Sequence, residues 1–273
     1  MTSGGLGARH PEVQRLRALN RDPQARAAES AFVLEGPRLV AAALTRHAPL
    51  EAVYLGYRAR PAFEPLLARI DAAGIPIHDL REGVLEKIGV TRTPQPVLAV
   101  AGRRCTELGD LTDTGDVVLA VDINDPGNLG AILRSAEAAG IVAVIVSGDS
   151  VDAYNPKAVR ASAGAVLGIT VVEAPDPGAT LDTLTHTGRR SVGTAAHHGE
   201  PLDVLDCDEA LTLVLGNEAR GLDASLRRRL HTVVTIPMHG AAESLNVAMA
   251  ATVLCFERDR RRTTGPTRER DAT

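Results

Sequence analysis

Four kinds of feature are missing from this 273-residue chain, and each absence closes off a class of function. No stretch approaches the roughly 18 uninterrupted apolar residues of a membrane span. The start, Met1-Thr2-Ser3-Gly4-Gly5, lacks the charged-then-apolar pattern of a secretory signal, so a cytoplasmic address away from membranes is expected. Cys105, Cys207 and Cys255 are far apart, odd in number and form no CxxC pair, which argues against a disulfide framework or a zinc site and for reduced thiols. Neither a G-x-G-x-x-G turn nor a phosphate-loop lysine is present, so neither a dinucleotide fold nor an NTPase is supported.

What is present begins with an uneven distribution of charge. The net charge is -4, yet residues 1–107 hold 15 Lys+Arg against 11 Asp+Glu, while residues 108–273 hold 15 against 23. A basic front joined to an acidic back is compatible with polyanion binding by the first part and small-molecule chemistry in the second. Chance composition explains the same asymmetry equally well.

Residues 11–28 read as short helices broken at Asp22-Pro23, carrying Arg15, Arg17, Arg21 and Arg26. Apolar runs and helical stretches then alternate from Phe32-Val33-Leu34 to a final strand at Val97–Ala101. Residues 103–115 are polar and rich in Gly and Asp, which predicts a linker between a domain at 1–107 and another at 108–273. In the second domain strands are predicted near Val117–Val121, Val142–Val146, Ser191–Ala195, Leu211–Leu215 and Val233–Ile236. Such α/β alternation favours a parallel sheet covered on both faces. A closing helix is predicted over Ser244–Arg258, with Ser244 as its cap.

Three segments of the second domain can carry chemistry. Asp122-Ile123-Asn124-Asp125-Pro126-Gly127-Asn128-Leu129-Gly130 turns from a strand into a helix, with Asn128 as a candidate cap and Arg134 about one and a half helical turns further on. Gly216-Asn217-Glu218-Ala219-Arg220-Gly221-Leu222 follows the run Leu211–Leu215. Ile236-Pro237-Met238 follows Val233 and leads to Glu243-Ser244-Leu245-Asn246. Strand ends of a parallel sheet are where such folds bind ligands, although any one of these segments taken alone also reads as a turn or a cap. The run Lys157–Ala165 reads as an Ala-rich helix ending at Gly164 or as backbone passing close to RNA. His197 and His198 are adjacent, so they point apart, and no metal site is expected from them.

In this order the three segments resemble the three signature motifs of the SpoU/TrmH branch of the SPOUT superfamily, the RNA ribose 2'-O-methyltransferases. The start of the first domain, Phe32-Val33-Leu34-Glu35-Gly36, is similar to the small α/β substrate-binding domain of that family. The resemblance implies a C-terminal SPOUT domain with a parallel sheet and a deep trefoil knot, joined to an N-terminal RNA-binding domain. It implies S-adenosylmethionine as cofactor, bound through Thr194, Ala195, Leu215, Gly216, Asn217, Ile236, Met238 and Leu245. It assigns Asn128 and Arg134, Glu218, and Ser244 and Asn246 to the catalytic group. It implies a homodimer formed through the catalytic domain, for which the small Ala248, Ala250 and Ala251 are suited. Ribosomal RNA is favoured over tRNA as substrate because a dedicated N-terminal domain is present. A silent RNA-binding protein of the same fold and a generic metabolite enzyme are the competing readings; no motif residue is lost, which counts against the former.

Overall fold

The computed structural model describes residues 5–89, 93–104, 106–111, 114–205, 208–240 and 244–264. It divides into two compact units, residues 1–105 with 152–168, and residues 106–151 with 169–273. The sequence reading places one break after residue 107; the structure also assigns a segment from the middle of the second half to the first unit. Two contacts within that unit explain the assignment. The Tyr154 ring lies 4.8 Å from that of Phe32, and the buried Arg26 pairs with Asp152 at 2.6 Å while donating to the Leu19 carbonyl.

In the first unit, α1 (Pro11–Arg21) and α2 (Pro23–Glu29) each carry proline in the first turn, where its missing N–H costs nothing. His10 caps the first through the Glu12 amide, and Asp22 caps the second through Gln24. There follow β1 (Ala31–Glu35), α3 (Pro37–Thr45), β2 (Leu50–Leu55), α4 (Glu64–Ala72), β3 (Ile77–Asp79), α5 (Leu85–Ile88) and β4 (Val97–Gly102). The sheet runs β1-β4-β2-β3, with β4 antiparallel to both neighbours and β3 parallel to β2. Val13, Leu16 and Leu19 of α1 pack on one face against Val33, Tyr54 and Val100.

The second unit contains β5 (Val117–Val121), α6 (Pro126–Ala138) and β6 (Ala143–Ser147). The short helix α7 (Pro156–Ala161) belongs to the first unit. It ends three residues before the expected Gly164, because Ala163 and Gly164 turn left-handed at φ 51° and 97°. The second unit continues with β7 (Thr170–Ala174), α8 (Pro177–His186), β8 (Arg190–Thr194), β9 (Leu211–Leu215), α9 (Ala224–Arg227), β10 (Thr232–Val234) and α10 (Val247–Thr264). All six strands are parallel, in the order β10-β8-β9-β5-β6-β7. The strand β7 is absent from the sequence reading. It is an edge strand that exposes Glu173, so it lacks the continuous apolar run of its neighbours.

The closing helix starts at Val247, three residues later than predicted. Asn246, not Ser244, accepts the first free amide, that of Ala248, at 2.9 Å. Its inner face carries Ala248, Ala251, Leu254 and Cys255, all buried. The hydroxyls of Thr252 and Ser135, 2.7 Å apart, join it to α6. Ala248 and Ala251, expected at a dimer surface, are thus consumed within the unit. Near its far end Arg258, 4% exposed, meets Asp116, 2% exposed, at 2.9 Å. The remaining Arg258 donors reach the carbonyls of Leu205 and Glu209, and Asp116 also accepts from the Leu211 amide. No helix among the described residues is long and apolar enough to cross a membrane.

Removing one partner of a buried ion pair costs about 3–5 kcal/mol when the other charge is left without compensation. Asp116 would keep the half-exposed Arg262, at 3.2 Å, and the Leu211 amide, so the lower end, about 3 kcal/mol, applies. Arg258→Leu is therefore expected to lower unfolding free energy in urea by about that amount, whereas Arg260→Leu, on the exposed side, should lower it by less than about 1 kcal/mol.

Candidate active site

Three loops at the C-terminal ends of the second unit's strands form the site. The first follows β5. Asp122 takes a left-handed backbone conformation at φ 55°, its carboxylate accepts the Asp149 amide at 2.8 Å, and the chain turns into α6. Asp125 is the helix cap and accepts the Asn128 amide at 2.8 Å. Asn128, read from the sequence as a cap, therefore sits inside the first turn, and its side chain is available for other work. Arg134 lies further along α6, exposed and without an ion pair or hydrogen bond among the described residues.

The second loop follows β9 and is closed on itself. A side chain on Gly216 would meet the Gly221 main chain at 2.6 Å, and Gly221 itself has φ +65°, so the loop needs glycine at both positions. Asn217 spends its whole side chain on the turn. Its amide donates to the Asp122 carbonyl at 3.0 Å, while its oxygen accepts from the amides of Ala219 and Arg220. The first and second loops are thereby tied, and Glu218 is held between them.

A relay of side chains then brings in the third loop. Asn128 Nδ2 donates to Glu218 Oε1 at 2.5 Å, and Asn128 Oδ1 accepts from Asn246 Nδ2 at 3.0 Å. Asn246 in turn caps α10 through the Ala248 amide. The direction of this relay is dictated by chemistry: an ionised carboxylate can only accept, so Asn128 must present its NH2 to Glu218 and its oxygen to Asn246. Residues 128, 218 and 246 are thus joined in space by two side-chain bonds.

Beside Glu218 opens a cavity of about 410 Å³, within the usual range for small-molecule sites. Its wall includes seven of the eight residues expected to bind cofactor, namely Thr194, Ala195, Gly216, Asn217, Ile236, Met238 and Leu245. The exception, Leu215, is a buried residue of β9 and does not line it. Of the expected catalytic group, Glu218 and Ser244 face the cavity; Asn128 and Asn246 connect to it through Glu218, and Arg134 is not in its wall. His197, Arg220 and Arg227 also line it without having been singled out for the site by sequence. For Arg220 the signal was its place inside the Gly216–Leu222 segment; Arg227 arrives only through the fold of α9.

Comparison with known proteins identifies the family. Residues 116–256 match the model of the SpoU rRNA Methylase family. The chain belongs to that family. Residues 10–99 match an MRM3-like substrate binding domain, so the resemblance read from the motifs holds for both parts of the chain. The SpoU relatives include the 23S rRNA (uridine(2479)-2'-O)-methyltransferase of Streptomyces viridochromogenes, 34% identical over 96% of this chain and 94% of that protein. Another is the 23S rRNA (guanosine(2553)-2'-O)-methyltransferase RlmP of Bacillus subtilis, 36% identical over 67% of this chain and 72% of that one. Among solved structures, the SpoU methyltransferase AviRb of Streptomyces viridochromogenes in complex with AdoMet superposes with a TM-score of 0.80 at 29% identity, covering 94% of this chain and all of that one.

Because Asn128 must donate to a carboxylate, Asn128→Asp is expected to be worse than Asn128→Ala despite its matching shape. Two carboxylates would then face each other, and the melting temperature should fall further below wild type at pH 8 than at pH 5, where the pair can share a proton. Thermal melts of both variants at the two pH values check this; an equal deficit at both would contradict the relay.

Proposed function

We propose that this chain transfers a methyl group from S-adenosylmethionine to a ribose 2'-hydroxyl of 23S ribosomal RNA. The observation that carries the reading is the Glu218–Asn128–Asn246 relay, set beside a cavity of cofactor size, with the unpaired Arg134 further along the helix that carries Asn128. The 23S rRNA specificity of two relatives, matched over most of their length, supports ribosomal RNA over tRNA.

The cavity fits the cofactor on its own chemistry. Ile236, Leu245, Val247 and Ala250 supply apolar wall, and the main-chain N–H groups of Ile236, Met238 and Leu245 have no intramolecular acceptor among the described residues. Such groups seek a partner, and an adenine ring or a carboxylate supplies acceptors. When bound, S-adenosylmethionine supplies an electrophilic methyl on sulfonium. The side chains then have distinct tasks. Glu218, oriented by Asn128, lies where it can accept a ribose hydroxyl, and Ser244 lies on the same wall. A guanidinium offers five donors and no acceptor, so the part of Arg134 is to anchor the target phosphate and stabilise the developing alkoxide. Positioning of this kind accounts for much of the rate of an in-line displacement.

Two further features belong to the same reading. The segment after β8 is bonded to the end of β10, through Ala195 to Val234 and Glu200 to Val233 and Thr235, before the chain returns to the mouth of β9 at Ser244 and Leu245. This path supports the deep trefoil knot. On α10, Met249, Val253 and Phe256 are 61%, 36% and 45% exposed at spacing i, i+4, i+7, an apolar stripe that supports a homodimer formed by this helix.

Arg134→Ala is expected to reduce tritiated-methyl transfer to 23S rRNA by about 10²–10³-fold while leaving cofactor affinity within about twofold. Equal loss of both would contradict the assigned role, and no transfer by the wild-type enzyme to any ribosomal RNA would overturn the proposal. Sedimentation should show a wild-type dimer and a monomeric Met249→Lys/Phe256→Glu variant; an unchanged dimer would place the interface elsewhere.

A further inference from the structure

Aromatic side chains are scarce in this chain: three Tyr, three Phe and no Trp. Phe32, Tyr54 and Tyr154 are buried in the first unit, as such residues usually are. Tyr57, in contrast, is 47% exposed. It stands in the turn after β2, where Arg58 adopts a left-handed conformation at φ 56° and lays its guanidinium carbon 5.0 Å from the centre of the Tyr57 ring.

This turn lies at a junction. The Gly56 amide donates to the Pro96 carbonyl and the Gly36 amide to the Val97 carbonyl, both at 2.8 Å. The turns after β1 and β2 and the approach to β4 therefore meet at one end of the sheet. Two acidic groups at this end are occupied: Asp79 pairs with Arg60 at 2.9 Å, and Glu35 accepts the Gln95 amide at 3.1 Å. Arg38, exposed in the first turn of α3, and Arg58 have no ion pair among the described residues. The result is an exposed aromatic ring, a stacked planar cation and a second cation on one sheet end.

We propose that Tyr57 and Arg58 form a stacking platform for an unpaired base of the substrate RNA, with Arg38 holding a neighbouring phosphate. The inference rests on the reading of the chain as an RNA methyltransferase and names the surface of the first unit that meets the substrate. Unpaired bases in loops and bulges are recognised by stacking on aromatic rings and guanidinium planes, which a continuous duplex cannot offer. An Arg–Tyr stack extends naturally by one more flat ring, and the cations match the adjacent phosphates.

The test uses the full-length protein with transcribed 23S rRNA in filter binding, and a blunt RNA duplex as control. Loss of one stacked base weakens binding by about 5- to 100-fold, so Tyr57→Ala and Tyr57→Leu should bind 23S rRNA that much more weakly, while Tyr57→Phe stays within about twofold. Duplex binding should be the same in all four proteins. In methyl transfer, Tyr57→Ala should raise KM for RNA and leave kcat and cofactor affinity unchanged. Arg38→Ala should reduce the dependence of log affinity on log salt by about one. Tyr57→Ala with wild-type affinity, or Tyr57→Leu binding as well as Tyr57→Phe, overturns the platform. That outcome is separable from failure of the functional reading, in which the wild-type enzyme itself transfers no methyl group to ribosomal RNA.

Discussion

The site depends on where α10 is held, and the contact that holds it is the buried pair of Arg258 and Asp116. Asp116 stands at the foot of β5 and also accepts the amide that begins β9, so one carboxylate ties the last helix to two central strands. At the other end of the helix Asn246 bonds to Asn128. Between these two points the small Ala248 and Ala251 let the helix lie close to α6. A helix fixed at both ends has no freedom to slide, and the residues just before it, Ser244 and Leu245, are delivered to the cavity wall as a consequence.

The same economy is seen in the loops. Asn217 is exhausted by turn-forming hydrogen bonds and contributes shape, whereas its neighbour Glu218 is left with an oxygen bonded to Asn128 and a side chain at the cavity. Adjacent residues in one motif thus have different surroundings, Asn217 tied into the loops and Glu218 open to the cavity. Arg134 is different again: its position on α6 is set by helical geometry, yet no described side chain restrains its charge. A cation left unpaired on the helix that carries Asn128 contributes little to fold stability, and it is the group to which the proposed function gives the substrate phosphate.

Much of this could be read from the chain. The strands β5, β6 and β10 announce themselves as β-branched runs and β9 as an apolar one, and the three polar segments that follow β5, β9 and β10 form one cluster in space. Other features could not be read. Asn128 resembles a cap because Asn favours that position, but Asp125 takes the role by reaching Asn128's own amide. Ser244 resembles a cap for the same reason, and Asn246 displaces it. In both cases local propensity offered two candidates within three residues, and long-range bonds chose between them. The edge strand β7 was hidden because one face of it is not buried in the way its neighbours are.

By itself the sequence determined the α/β class, the order of the motifs and the family they mark, because hydrophobic period and residue type at strand ends are local properties written directly in the chain. Only the tertiary structure decided that residues 152–168 join the first unit, that Ala248 and Ala251 face inward while Met249 and Phe256 face out, and that Asn128, Glu218 and Asn246 touch. Those outcomes depend on contacts between residues about ninety or more positions apart, such as Arg26 with Asp152 and Asn128 with Asn246. No local pattern encodes which distant partner a buried charge or an amide will find.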